Sequence, residues 1–238
     1  MKRLGLMVGV LLAGGLIPGN GLFASSMCTG TLAELIGQVC NFDVFSIQVV
    51  GFSGSAPGGT VLTTEQINLT AMATLGDTSV SVLISAPPNL PFQAGGAAPG
   101  TSVSANYNIQ YVLIGPSVFE SENLTVNGGS VSLPATYSVN KTANGALVHV
   151  GTFTSQSNTT LLPGTDTVLN VSDTITLSAA TTVGRRDRPP IVGSSRINSI
   201  QNTFLALPPP PVPEPIAFVL CGSGLLVFGL VSRRRRRQ

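Results

Sequence analysis

Thr78-Ser79-Val80-Ser81-Val82-Leu83-Ile84-Ser85 is the stretch whose reading decides the fold. Within it, Ser79-Val80-Ser81-Val82 alternates polar and apolar residues with a period of two, which puts the valines on one face of a strand and the serines on the other. Outward from it the same grammar continues in Phe45 to Phe52, Gln66 to Thr74 and Ser104 to Gly115, all rich in Val, Ile and Thr with turn residues between them. Leu124 to Val126 and Ser130 to Leu133 flank Asn127-Gly128-Gly129, and Thr136 to Lys141 and Ala146 to Thr154 flank Asn144-Gly145; both spacings predict hairpins. Thr165 to Val171, Thr174 to Ala180 and Ser199 to Leu207 complete about ten or eleven strands. Short strands at this spacing predict an all-β fold, an antiparallel β-sandwich. The Ser-Val-Ser echoes at 79–81, 102–104 and 130–132 belong to this strand pattern and do not form a repeat. One domain of about 180 residues is long enough to bury a substantial core, and with no tryptophan that core is expected to be mainly Val, Leu and Ile.

The two ends read differently. Lys2 and Arg3 precede an apolar segment, Leu4 to Ile17, which Pro18 to Gly21 break before the small residues Ala24-Ser25-Ser26. This is the pattern of a secretory signal peptide over residues 1–26, with an uncleaved anchor as the alternative. At the other end, Pro208 to Pro211 and Pro213 form a stiff, extended linker with Glu214 and Pro215 over residues 208–215. An apolar segment follows over 216–232; its 17 residues are at the short end of a transmembrane helix and include Gly222, Gly224 and Gly229. The chain closes on an Arg-rich tail at 233–238, in which Arg233, Arg234, Arg235, Arg236 and Arg237 form a stop-transfer signal. Each arginine would cost about 3 kcal/mol at the bilayer centre.

Pro213, Glu214 and Pro215, the apolar segment and the arginine tail, in that order, resemble the C-terminal sorting signal of PEP-CTERM proteins, which are exported proteins of Gram-negative bacteria. The resemblance covers about a tenth of the chain and implies a sorting fate, not an activity. It implies recognition by an exosortase, a membrane-embedded cysteine protease that processes such tails. The implied partners are therefore that protease, the secretory translocon and the cytoplasmic membrane. The implied location is the membrane during sorting, then the cell surface or extracellular space. A permanent single-pass anchor on a rigid stalk is the alternative.

The net charge of +2 belongs to these ends: between Met27 and Val212 there are five basic and nine acidic residues, a balance of −4. Nucleic-acid binding therefore has no electrostatic support. Cys28 and Cys40 are the only cysteines of the exported region 27–207, and an even pair in an exported domain reads as a disulfide. A metal site lacks ligands, with no Cys-x-x-Cys and His149 as the sole histidine. Leu32, Leu35, Ile36 and Val39 recur at helical spacing behind Thr31 as N-cap, predicting a short helix tied by the disulfide to the first strand. This block looks like the two-cysteine N-terminal segment of some uncharacterised PEP-CTERM proteins.

No catalytic constellation emerges, and no cofactor is implied. His149 falls at an alternating strand position, Leu147-Val148-His149-Val150, and reads as a solvent-facing residue. Glu120 and Glu122, two apart, would share a strand face and could pair as glycosidase carboxylates do, although such pairs usually come from different strands in an aromatic cleft. Asp166, Asp173 and Asp187 lack the spacing of a calcium loop. The charged cluster Gly184 to Pro190 reads as a solvated loop, with anionic polysaccharide contact as the alternative. Sequons at Asn68, Asn123, Asn140, Asn158 and Asn170 arise readily in so Asn/Thr-rich a chain. Two function classes compete. One is a non-catalytic cell-surface or extracellular-matrix protein associated with biofilm or exopolysaccharide. The other is a secreted carbohydrate-active enzyme or glycan-binding module using Glu120 and Glu122.

Overall fold

A computed structural model describes residues 27–208 except 58–60, 74–77, 153–156 and 185–187. The expected signal peptide at 1–26, the Pro-Glu-Pro motif, the apolar segment and the arginine tail, together with Arg185, Arg186 and Asp187, lie outside the described residues. Among the described residues no helix is long and apolar enough to cross a membrane.

Fifteen strands are present among the described residues: β1 Met27–Thr31, β2 Val39–Phe42, β3 Phe45–Ser55, β4 Asn68–Ala73, β5 Ser79–Ser85, β6 Phe92–Ala94, β7 Ser102–Ile114, β8 Phe119–Asn127, β9 Ser130–Ser132, β10 Thr136–Ala143, β11 Ala146–Thr152, β12 Ser157–Leu161, β13 Val168–Ala180, β14 Ser194–Ile197 and β15 Ser199–Ala206. They form two six-stranded sheets, ordered β1-β4-β5-β15-β8-β12 and β11-β10-β13-β7-β3-β2, and a small third sheet, β6-β14-β9. One buried apolar cluster draws on both large sheets, as in a β-sandwich. The expected alternation is kept: Val80, Val82 and Ile84 of β5 are buried and the serines between them half-buried. The few aromatics are concentrated inside. All three tyrosines, Tyr107, Tyr111 and Tyr137, are fully buried, and Phe119 meets Phe45 and Phe204 at about 6 Å. The core is mainly Val, Leu and Ile, as expected, with these aromatics set among them.

Four expectations need correction. First, the helix is a single turn, α1, Leu32–Leu35. Thr31 caps it in a capping box: its Oγ1 accepts the Glu34 N–H, and Glu34 Oε2 accepts the Thr31 N–H at 2.9 Å. It stops there because Ile36 turns extended to bridge Val49 and Gly37 takes φ +78°, a left-handed conformation that glycine adopts without strain. Second, Cys40 lies in a strand, β2, that follows the helix. The disulfide joins β1, the outermost strand of one large sheet, to β2, the outermost strand of the other.

Third, residues 127–129 turn the chain but do not close a hairpin: β9 leaves β8 and pairs with β14. Gly128, at φ +63°, lies so close to Asn198 that a Cβ there would sit 2.3 Å from the Asn198 Nδ2. Asn198 also donates its N–H to the Asn127 carbonyl, so the segment between β14 and β15 occupies the place of a returning strand. By contrast, Asn144-Gly145 is a two-residue hairpin loop, with Ala143 opposite Ala146 and φ values of 45° and 90°. Fourth, the two strands expected around Asp173 are one unbroken strand, β13, which runs straight through it.

Replacing both Cys28 and Cys40 by serine is expected to lower the unfolding free energy by about 2–4 kcal/mol. A urea titration reads this as a lower midpoint; an unchanged midpoint would show that the bridge does not hold the sheets.

Candidate functional site

The candidate site follows from strand parity. On β13, Leu169, Val171, Ile175 and Leu177 point into the core, and Asp173 lies between them in the same phase. On β10, Tyr137, Val139 and Ala143 place Lys141 inward in the same way. On β15, Ile200, Phe204 and Ala206 carry Asn202, and on β8, Leu124 and Val126 carry Glu122. Apolar alternation therefore draws four polar side chains into a dry interior, each of them 0% exposed.

They meet between the sheets. Lys141 and Asp173 are direct partners across β10 and β13, while Glu122 and Phe204 are partners across β8 and β15 in the other sheet. The Lys141 Nζ lies 3.1 Å from Glu122 Oε2 and 3.9 Å from the centre of the Phe204 ring. Asn202 Nδ2 donates to Asp173 Oδ2 at 2.7 Å and to the Tyr111 hydroxyl at 2.9 Å. Glu122 is paired with the ammonium, and Asp173 feels its charge without touching it. Beyond that one contact, the Glu122 oxygens, Lys141 Nζ, Asp173 Oδ1 and Asn202 Oδ1 are buried without a hydrogen-bond partner, so the ion pair lacks the further bonds that usually offset desolvation.

Burial dominates the protonation equilibria. It pushes Asp173 up to about 6, opposed by Lys141 and by the Asn202 hydrogen bond. It raises Glu122 against the attraction of Lys141, and lowers Lys141 against the pull of Asp173 and Glu122. Tyr111 is held well above the usual phenol range by burial first and by the Asp173 charge second.

The proposed carboxylate pair is not formed. A register shift in the β8–β15 ladder pairs Leu205 with Ser121 but Ala206 with Phe119, leaving Glu120 as the extra residue of a bulge. Phe119 and Glu122 both face inward, and Glu120 is exposed. The acid at 122 lies in a filled core rather than a cleft. The depressions on the outer face of the second sheet lack carboxylates: one of about 230 Å³ is bordered by Val50, Gln110, Val112, Asn170 and Ser172. Asp166 accepts a bond from Asn144 Nδ2 at 2.9 Å beside the hairpin loop, and His149 lies on β11 opposite Asn140. Among the described residues no three His, Cys, Asp or Glu side chains gather as metal ligands. Sequence reasoning missed Lys141, Asp173, Asn202 and Tyr111 as a group. Its available signal was the phase of the alternation, which puts each of them in register with buried aliphatic residues.

No protein-family model matches the chain, and no curated protein matches it. Among solved structures, the chain is similar to the carbohydrate-binding module TmCBM61 in complex with β-1,4-galactotriose, at 7% identity over 64% of this chain and 88% of that one, with a TM-score of 0.29. It is also similar to a GH31 α-xylosidase from Xanthomonas citri, at 8% identity over 76% of this chain, with a TM-score of 0.20. The chain spans 28% of the xylosidase. At these scores neither likeness bears on function.

A carboxyl with a raised folded-state pKa favours folding below its unfolded value, and that contribution is lost as pH rises through the folded value. For Asp173 the window runs from about 4 to about 6. Relative to an Asp173→Asn variant, the protein is expected to gain on the order of 3 kcal/mol as pH falls through this window. Thermal melts should show the wild-type midpoint rising by roughly 6–12 °C more than the variant's; parallel profiles would refute the assignment.

Lys141→Met leaves two buried carboxylates without a counter-charge and should cost about 3–5 kcal/mol in urea denaturation. Adding Glu122→Leu should make the double variant more stable than Lys141→Met alone, and a further loss would contradict the coupling.

Proposed function

We propose that this chain is an exported, non-catalytic cell-surface or extracellular-matrix protein, processed through a PEP-CTERM sorting signal at Pro213-Glu214-Pro215. The observation that supports the non-catalytic part is the burial of Glu122. The acid best placed by sequence for glycosidase chemistry is held against Lys141 inside the core, on the far side of a bulge from Glu120. A glycosidase needs two carboxyls flanking a substrate in an open cleft, about 5 Å or more apart. The Cys28–Cys40 bridge fits an oxidising compartment outside the cytoplasmic membrane. The outer face of the second sheet suits a solvated module that exopolysaccharide could contact. It carries uncharged amides and hydroxyls, with Asn108 Nδ2 donating to Ser172 Oγ at 2.8 Å and to Thr174 Oγ1 at 2.9 Å.

In this reading the arginine tail halts transfer, the apolar segment holds the chain in the membrane, and the proline linker presents the motif to an exosortase-type protease. Mass spectrometry of the mature C-terminus tests it in cells with and without that protease. The expected result is a C-terminus near residues 213–215 when the protease is present and at Gln238 when it is absent. Gln238 in both would make the protein a permanent single-pass anchor.

A further inference from the structure

We propose that Lys141 and Glu122 condense with each other, without an added enzyme, into an intramolecular amide bond that joins the two large sheets through the core. The two groups are in direct ion-pair contact, with Nζ 3.1 Å from Oε2, and both side chains are fully buried. The Phe204 ring covers the amine at 3.9 Å and helps to keep water from the site. Beyond their contact with each other, neither the Glu122 carboxylate nor the Lys141 ammonium finds a hydrogen-bond partner. An ion pair in this state is a poor end point for a folded core. A neutral amide retains only one N–H and one C=O to be satisfied and removes both charges.

The chemistry balances without a co-reactant. The Lys141 ammonium passes one proton to the Glu122 carboxylate, giving a neutral amine beside a neutral acid. Burial favours this transfer, because it lowers the pKa of Lys141 and raises that of Glu122. The Nζ lone pair then attacks Cδ and a C–N bond forms. The C–O bond to the hydroxyl breaks, and that oxygen leaves as water with a second proton from Nζ. In water the solvation of ammonium and carboxylate opposes this condensation; in a dry core that solvation is absent.

The position of the bond in the fold gives it a purpose. Glu122 is on β8, next to the outermost strand of its sheet, and Lys141 is on β10, next to the outermost strand of the other. The disulfide joins the two sheets at the opposite flank, through β1 and β2. With both bonds the sandwich is fastened on each side, which suits a protein held outside the cell without chaperones. The inference is independent of whether the C-terminal tail is cleaved.

Mass spectrometry of the purified full-length chain, reduced and denatured, tests it. The expected mass is lower by one water than the sequence requires for the termini found. Proteolysis should release a branched peptide in which Glu122 is joined to Lys141. The Glu122→Leu/Lys141→Met double variant should show its full mass and serves as the unbridged reference. Full mass in the folded wild type, with separate peptides for residues 122 and 141, would overturn the proposal. Loss of ammonia with the branch on Asn202 would overturn the assignment of Glu122 as acyl donor.

Discussion

Among the described residues Lys141 is the one buried cation, paired with Glu122 and facing the charge of Asp173, and much of the architecture is constrained by this buried charge set. Lys141 and Asp173 come from one large sheet, and Glu122 and Asn202 from the other. Because side chains alternate, a one-residue slip of any of these four strands would turn its polar residue to solvent and strand the partners in an apolar interior. Hydrophobic alternation already opposes a one-residue slip; a slip of two residues keeps similar burial, and the buried charge set opposes that as well. The cluster thus fixes how the sheets pair within themselves and how they face each other, although such groups contribute little net stability.

How much of this was legible depended on whether a residue's meaning was local. The alternation in residues 78–85 and the Asn144-Gly145 loop are local, and both were read correctly from the chain. The fate of Asn127-Gly128-Gly129 was not local. The turn forms, but Asn198, some seventy residues later, takes the space against Gly128, and β9 is drawn to β14. The short strands β6, β12 and β14 carry too few residues to show a period. The break expected between Val171 and Thr174 does not occur, because long-range pairing with β7 and β10 keeps the strand whole through Asp173. The Glu120–Glu122 pairing failed for a different reason. A bulge adds one residue to the count, and parity on its two sides no longer agrees.

The same parity explains why the cluster escaped notice. A lysine in an Asn-Lys-Thr sequence looks like surface, and an asparagine in Gln-Asn-Thr looks like a sequon-rich exterior. Their burial becomes evident only when the phase of each strand is carried through the polar residue to the aliphatic ones beyond it. The site therefore belongs to the packing of two sheets, which no single strand records.

β15 is the last of the described strands in the chain, yet it lies inside its sheet, between β5 and β8. It contributes Asn202 and Phe204 to the core, and Gln201 donates to Ser81, 120 residues earlier. Until that segment arrives, β5 and β8 present open edges and the ionic cluster lacks one wall. As the chain is made from its N-terminus, the body therefore stays unfinished, with two open edges to shield, until residues 199–206 are available. Completion of the fold is timed to the emergence of its C-terminal end.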